Sequence, residues 1–245
     1  MARSRSARPL RAVVTDVDGT LTDRERRLDP AAVRAVRRLE SRGIPVLLAT
    51  GNVLPIALAI HRSLGLTGPI VAENGGILYR KVDGAERVER LADRSLALRA
   101  YRSLRRAGLP VRRLFTDRWR ETEVALEPNV SVRAVALHLR GSPVRAEGTG
   151  YAIHLMQRGA GKREGLERAL RPYGWTLADC VVLGDGDNDV AMLRAAGFGV
   201  SFRSGSPAAQ RAADYVARAT FAAGFVEGLK ASTVWERESS LPGGN

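Results

Sequence analysis

Only one cysteine and three histidines occur in the 245 residues, and aromatic side chains make up just 5% of them. The lone thiol, Cys180, excludes an intrachain disulfide framework and points to a reducing, cytoplasmic setting. His61, His138 and His154 are scattered without ligand spacing, so they read as core or surface side chains. The scarcity of aromatics leaves few platforms on which bases could stack, and no nucleic-acid reader motif is present. A nucleic-acid-binding protein built on an enzyme-like scaffold is therefore a remote alternative. No stretch approaches the ~18 apolar residues of a membrane span. The basic start, "MARSRSARPLR", is followed by an apolar run that Asp16 interrupts, without a small-residue cleavage pattern, so it does not read as a signal peptide.

What the chain has in excess is arginine. Lys plus Arg number 39 against 26 acids, a net charge of +13. Such a field attracts anions, although most of the excess falls on helix faces such as "VRAVRRLESRG" and reads as solvated surface. With 44% hydrophobic residues the chain can bury a substantial core, as one large domain or as a core carrying a smaller insert.

Residues 11 to 80 alternate short apolar runs with helix-period segments: "RAVVTDV", "DPAAVRAVRRLESRG", "IPVLLAT", "VLPIALAIHRSLG", "PIVAENGG". The order is strand, helix, strand, helix, strand, which predicts an α/β fold with a parallel sheet. Asp29 is placed to cap the first helix, with Pro30 at its first position and Gly43 beyond its end. The alternation resumes at "GKREGLERALRPYG" and continues to "AAGFVEGLKAS". Between the two halves it fails. After "GGILYRKVDGAERVERL" come an arginine-rich helix, "RSLALRAYRSLRRAG", and the strand-like or irregular runs "VSVRAVALHLRG" and "GYAIHLM". The expected division is a core of residues 1–80 with a basic tail over 1–10, an inserted α+β unit over 81–153, the rest of the core over 154–232, and a tail over 233–245.

Ligands of a parallel α/β sheet bind beyond the carboxyl ends of its strands. The polar clusters fall at such ends: Asp16 to Thr20, Thr50 to Asn52, and Asp185 to Asp189. Carboxylates that converge need compensating charge, and a hard cation with oxygen ligands, Mg²⁺ foremost, provides it. In "DVDGT", Asp16 and Asp18 project the same way in extended chain and Gly19 permits a tight turn. One carboxylate can then attack a phosphoryl group while its neighbour moves protons, Asp16 as nucleophile and Asp18 as acid and base.

These segments, in this order, resemble the haloacid dehalogenase superfamily. "DVDGTLT" is similar to its first motif, "LLATGN" to the second, Lys162 in "GAGKREGL" to the third and "GDGDNDVAML" to the fourth. The resemblance implies a Rossmannoid three-layer core, with the insert as a small α+β cap of type C2 that covers the site and selects substrate. It further implies Asp16 and Asp18 as catalytic residues, and Thr50, Gly51, Asn52, Lys162 and Asn188 as substrate- and phosphate-binding. Asp16, Asp18, Asp185 and Asp189 would hold Mg²⁺, Asp18 through its backbone carbonyl. Asp187 is left out as solvent-facing. The segment "TGNVLPIALAIHRSLGLTGPIVAENGGILY" is similar to the archaeal-type phosphoglycolate phosphatase family, which implies hydrolysis of 2-phosphoglycolate to glycolate and phosphate through an aspartyl-phosphate intermediate. A sugar phosphate or phosphoglycerate derivative is the alternative substrate. The partner expected is thus a small phosphorylated metabolite, with no specific nucleic acid and no membrane. "ENGG" at 73–76 is either a hinge or a tight turn, and Trp119 either packs under the cap or walls off the site.

Overall fold

The computed structural model describes residues 10–149 and 151–235. The expected basic tail, apart from Leu10, and residues 236–245 lie outside the described residues. The strands are β1 Ala12–Thr15, β2 Val46–Ala49, β3 Ile70–Ala72, β4 Ile77–Val82, β5 Ala85–Arg90, β6 Val124–Leu126, β7 Val144–Gly148, β8 Ile153–Gln157, β9 Cys180–Leu183, β10 Phe198–Phe202 and β11 Tyr215–Ala217. The helices are α1 Pro30–Ser41, α2 Leu54–Leu64, α3 Arg94–Arg106, α4 Val132–His138, α5 Lys162–Leu170, α6 Val190–Ala195, α7 Pro207–Ala212 and α8 Phe221–Ala231.

Eight strands form one sheet in the order β11-β10-β9-β1-β2-β3-β4-β5. Those from β11 to β3 are parallel. Apart from the edge strand β11, these strands are buried and largely apolar, and side-chain alternation divides them between two cores. Val13, Val46, Leu48, Val181 and Leu183 pack with α1, α2 and α8. Ala12, Val14, Leu47, Ala49 and Val182 pack with α5, α6 and α7 on the other face. The fold is therefore a three-layer α/β sandwich. The local signals of α1 act as expected: the Asp29 side chain accepts from Ala31 N at 2.6 Å, and Gly43 takes φ +71° just past the helix end. Such a cap contributes about 1 kcal/mol. Cys180 is buried in β9, where burial pushes its thiol up to about 12.

The second sheet is small, with order β6-β8-β7 and antiparallel pairing. With α3 and α4 it encloses a separate core around Leu104, Val124, Val135, Ile153 and Leu155. The packing divides at different places from those the sequence pattern suggests. Residues 81–90 continue the large sheet as an antiparallel hairpin, because Asp83 and Gly84 both adopt positive φ (50° and 78°) and turn β4 back on itself. Residues 154–157 belong to the small sheet, since β8 is its central strand. The run "VSVRAVALHLRG" contains a short helix, α4, instead of strand; one buried valine, Val135, suffices to dock it on the small sheet and override β-branched propensity. At the far end Val234 is fully buried, and the Arg38 guanidinium lies 4.5 Å from the Trp235 ring centroid, so these two residues pack on the core and do not fray.

Candidate active site

The large sheet changes direction at β1: chain order runs outward through β2 and β3 on one side and through β9 and β10 on the other. Loops leaving the carboxyl ends of β9, β1 and β2 are thereby neighbours, and a crevice opens between them. Asp16 follows β1 directly, Thr50 follows β2, and Asp185 stands two residues past β9.

Asp16, Asp185 and Asp189 each offer a carboxylate oxygen within 4.8 Å of the other two. Lys162, the first residue of α5, is buried behind them; its Nζ donates to Asp16 Oδ1 at 2.6 Å and to Asp189 Oδ1 at 2.7 Å. The other oxygen of Asp189 accepts the backbone N–H groups of Asp185 (3.0 Å) and Gly186 (2.9 Å), which fixes the turn entering α6. Thr20 Oγ1 donates to Asp185 Oδ1 at 3.3 Å. At Gly19, φ is +80° and an added Cβ would stand 2.3 Å from Asp185 Oδ2, so only glycine lets the first loop close onto the last.

Three carboxylates share one ammonium here. Burial pushes Asp16 well above the usual carboxylate range; Lys162 pulls it down, and Asp189 and Asp185 push it up again. Burial and Asp189 raise Asp185 to about 7. Lys162 is held above its ordinary value: burial opposes its charge, but Asp16 and Asp189 outweigh that penalty. The ensemble has an excess of buried negative charge and presents hard oxygen donors only. A small divalent cation fits both properties.

Asp18 lies outside this triangle. Its Oδ2 accepts from Asn52 Nδ2 at 2.7 Å, which aims the carboxylate across the crevice. Thr50 is buried, with its Oγ1 accepting Asn52 N at 3.0 Å and Asn52 Nδ2 at 3.2 Å, so its oxygen braces the loop. Asp16, Asp18, Gly51, Asn52, Asp185 and Asn188 line one cavity of about 600 Å³, while Thr50, Lys162 and Asp189 stand behind its wall. Asp187 is exposed at the rim, as expected.

The opposite wall comes from the smaller unit and was not legible in the sequence. Arg120 and His154 line the cavity and converge on Glu123. Glu123 is buried; its charge is penalised by burial, yet His154 and Arg120 hold it down at about 2. Because an ionised carboxylate only accepts, His154 Nδ1, 2.9 Å from Glu123 Oε1, carries its proton. Asn74 Nδ2 reaches Glu123 Oε2 at 3.2 Å, and Asn74 Oδ1 accepts from Asn188 Nδ2 at 3.0 Å, so one amide joins the small unit to the loop before α6. Its neighbour Glu73 accepts from Glu121 N (2.9 Å), Thr122 N (2.8 Å) and Thr122 Oγ1 (2.6 Å). "ENGG" is thus a tight turn, with Asn74 at φ 54°, whose polar side chains seat the smaller unit. The acid and amide within that turn were its sequence signal. Trp119 is half exposed against Phe115 and does not line this cavity. A larger concavity of about 1000 Å³, among Tyr101, Arg105, Arg113, Phe115 and Arg118, contains none of the sequence-derived site residues.

Residues 13–119 and 139–229 match the family of haloacid dehalogenase-like hydrolases. The chain is 37% identical over 227 residues to a phosphoglycolate phosphatase of Methanothermobacter thermautotrophicus, covering 92% of this chain and 100% of that one. It is 39% identical over 210 residues to a phosphoglycolate phosphatase of Methanopyrus kandleri, covering 83% and 89%. A protein of Thermoplasma acidophilum of known crystal structure superposes with a TM-score of 0.81 at 25% identity, over 91% of this chain and 98% of that one. A sugar phosphatase of haloacid dehalogenase subclass IIB shares the fold, with a TM-score of 0.73 at 18% identity over 91% and 99%.

Proposed function

Since the chain belongs to the haloacid dehalogenase-like hydrolases and is a phosphoric monoester hydrolase, we propose that its substrate is 2-phosphoglycolate, cleaved to glycolate and phosphate. The observation that carries the chemistry is the junction of Asp16, Lys162, Asp185 and Asp189, drawn from points as far apart in sequence as residues 16 and 189. The substrate assignment draws on the phosphatases that share 37% and 39% of their aligned residues with this chain.

In this reading Lys162 holds Asp16 Oδ1, so the carboxylate presents its other oxygen to phosphorus. A new P–O bond forms to Asp16 as the ester P–O bond breaks, and the protonated Asp18 carboxyl delivers its proton to the leaving glycolate oxygen. Asn52 keeps Asp18 oriented for that transfer. Asp18, now ionised, takes a proton from water; the water oxygen attacks phosphorus, phosphate leaves, and Asp16 is regenerated. Thr50, Gly51, Asn52 and Asn188 form the phosphate-facing loops. Mg²⁺, held by Asp16, Asp185 and Asp189 with the Asp18 carbonyl, would neutralise charge on the phosphoryl oxygens. The smaller unit, with its sheet of β6, β8 and β7, acts as the cap.

Initial rates on a panel of phosphate monoesters in Mg²⁺, with an EDTA control, test this reading. The highest kcat/KM should fall on 2-phosphoglycolate, and Asp16→Asn should fold normally without turnover. A preference for a sugar phosphate or phosphoglycerate would replace the substrate. Near-normal turnover by Asp16→Asn would remove the covalent route.

A further inference from the structure

The two walls of the cavity carry different chemistry. The core wall carries acids, loop amides and the exposed Arg24 and Arg26, whereas the small unit contributes the buried guanidinium of Arg120 and the imidazole of His154. Arg120 is 5% exposed, so its charge is almost wholly withdrawn from water. Its Nη1 donates to the Gly51 carbonyl at 2.9 Å and also contacts Glu123, while its Nε is buried without a hydrogen-bond partner among the described residues. Glu123 is itself shared with His154 and Asn74. One carboxylate thus serves two side chains capable of positive charge, and donor capacity on Arg120 remains unused. The bond to Gly51 sets the guanidinium against the loop of Thr50 to Asn52, close to where a phosphoryl group would meet Asp16. An anionic group recognised by Arg120 must therefore lie only a few bonds from the phosphate.

Resting on the phosphoglycolate reading, we propose that Arg120, braced by Glu123, is a specificity-determining residue that binds the substrate carboxylate. Its fixed positive charge suits a carboxylate, and its place next to Gly51 limits the acid to a short one. A longer phosphorylated sugar has no negative group at that position and would leave the guanidinium facing neutral atoms.

The test compares 2-phosphoglycolate with ethyl phosphate, which lacks the carboxylate, in the full-length protein with Mg²⁺. For the wild type, kcat/KM should favour phosphoglycolate. In Arg120→Gln that preference should fall about 30-fold, mostly through KM for phosphoglycolate, and Arg120→Lys should recover part of it. Arg120→Gln combined with Glu123→Gln removes both charges together and should show the same loss, which separates recognition from an unpaired buried acid. Inhibition of the wild type adds a readout that needs no variant: phosphonopropionate, the non-hydrolysable carboxylate analogue, should bind about 30-fold more tightly than propylphosphonate. If the wild type prefers phosphoglycolate but neither Arg120 variant changes the preference, the assignment of Arg120 is wrong and the substrate reading stands. If the wild type prefers neither phosphoglycolate nor phosphonopropionate over its neutral counterpart, the substrate reading fails and this inference with it.

Discussion

Replacing Lys162 with methionine preserves side-chain length and removes the ammonium bonded to the Asp16 and Asp189 carboxylates. The metal-free variant must then either keep three clustered carboxylates charged, two of them buried, or take up a proton. Protonating one carboxyl of ordinary pKa at pH 7 costs about 4 kcal/mol, which agrees with the ~3–5 kcal/mol for breaking a buried ion pair. For a chain of this size that corresponds to a fall of about 10 °C in Tm. The sign of the pH dependence follows from the raised carboxyls. A folded-state pKa above the unfolded one gives stability that is complete below the unfolded value, near 4, and is lost as pH rises through the folded value, about 7 for Asp185. The deficit should therefore shrink to about 1–2 kcal/mol at pH 5. Thermal unfolding in EDTA at pH 5 and pH 7, repeated with excess Mg²⁺, measures all of this. Mg²⁺ at a hundred times its Kd should restore about 2.7 kcal/mol. Equal Tm values for wild type and variant in EDTA at pH 7, or a deficit that ignores pH, would refute the charge argument.

Three other perturbations probe the same architecture. In Gly19→Ala the new Cβ meets Asp185 Oδ2 at 2.3 Å, so the variant should lose about 1–3 kcal/mol and need more Mg²⁺ for half-maximal activity, read by urea unfolding and metal titration. Because Asp185 is held up to about 7, Mg²⁺ must displace protons below that pH; half-saturating Mg²⁺ should rise as pH falls from 8 to 6, and calorimetry in two buffers should show proton release. Glu73→Gln replaces an anion that accepts three donors from residues 121 and 122, which should cost about 1–3 kcal/mol and quicken amide exchange in that segment, with no change in exchange within β1.

The sequence carried the core well because the central parallel strands β1, β2, β3 and β9 are buried on both faces and read as short, largely apolar runs. The two acidic loops were legible because residues 16, 18, 185 and 189 lie at strand ends, where topology brings them together. The Asp83-Gly84 hairpin was also written in the chain, but its alternating charged strand, AERVER, resembled insert more than sheet. What stayed hidden was the contact between the two units. Arg120, Glu123 and His154 have no shared spacing, and their roles exist only because β6 and β8 pair and Asn74 takes a left-handed conformation. His154 illustrates the difference: read alone it is an ordinary core or surface histidine, and it lies in β8, the central strand of the small sheet, yet it lines the same chamber as Asp16.

The borders of the large sheet have a bearing on how the molecule behaves in a crowded solution. Its outermost strands are a three-residue segment, β11, and the exposed hairpin arm β5, where Glu86, Arg87, Glu89 and Arg90 stand on both sides of the ribbon. A second molecule approaching either margin finds too little backbone to pair with, or a palisade of charges it would have to strip of water. The wholly apolar β3 is screened behind that hairpin, so the arm works as a bumper against polymerisation for an interior that would otherwise be adhesive.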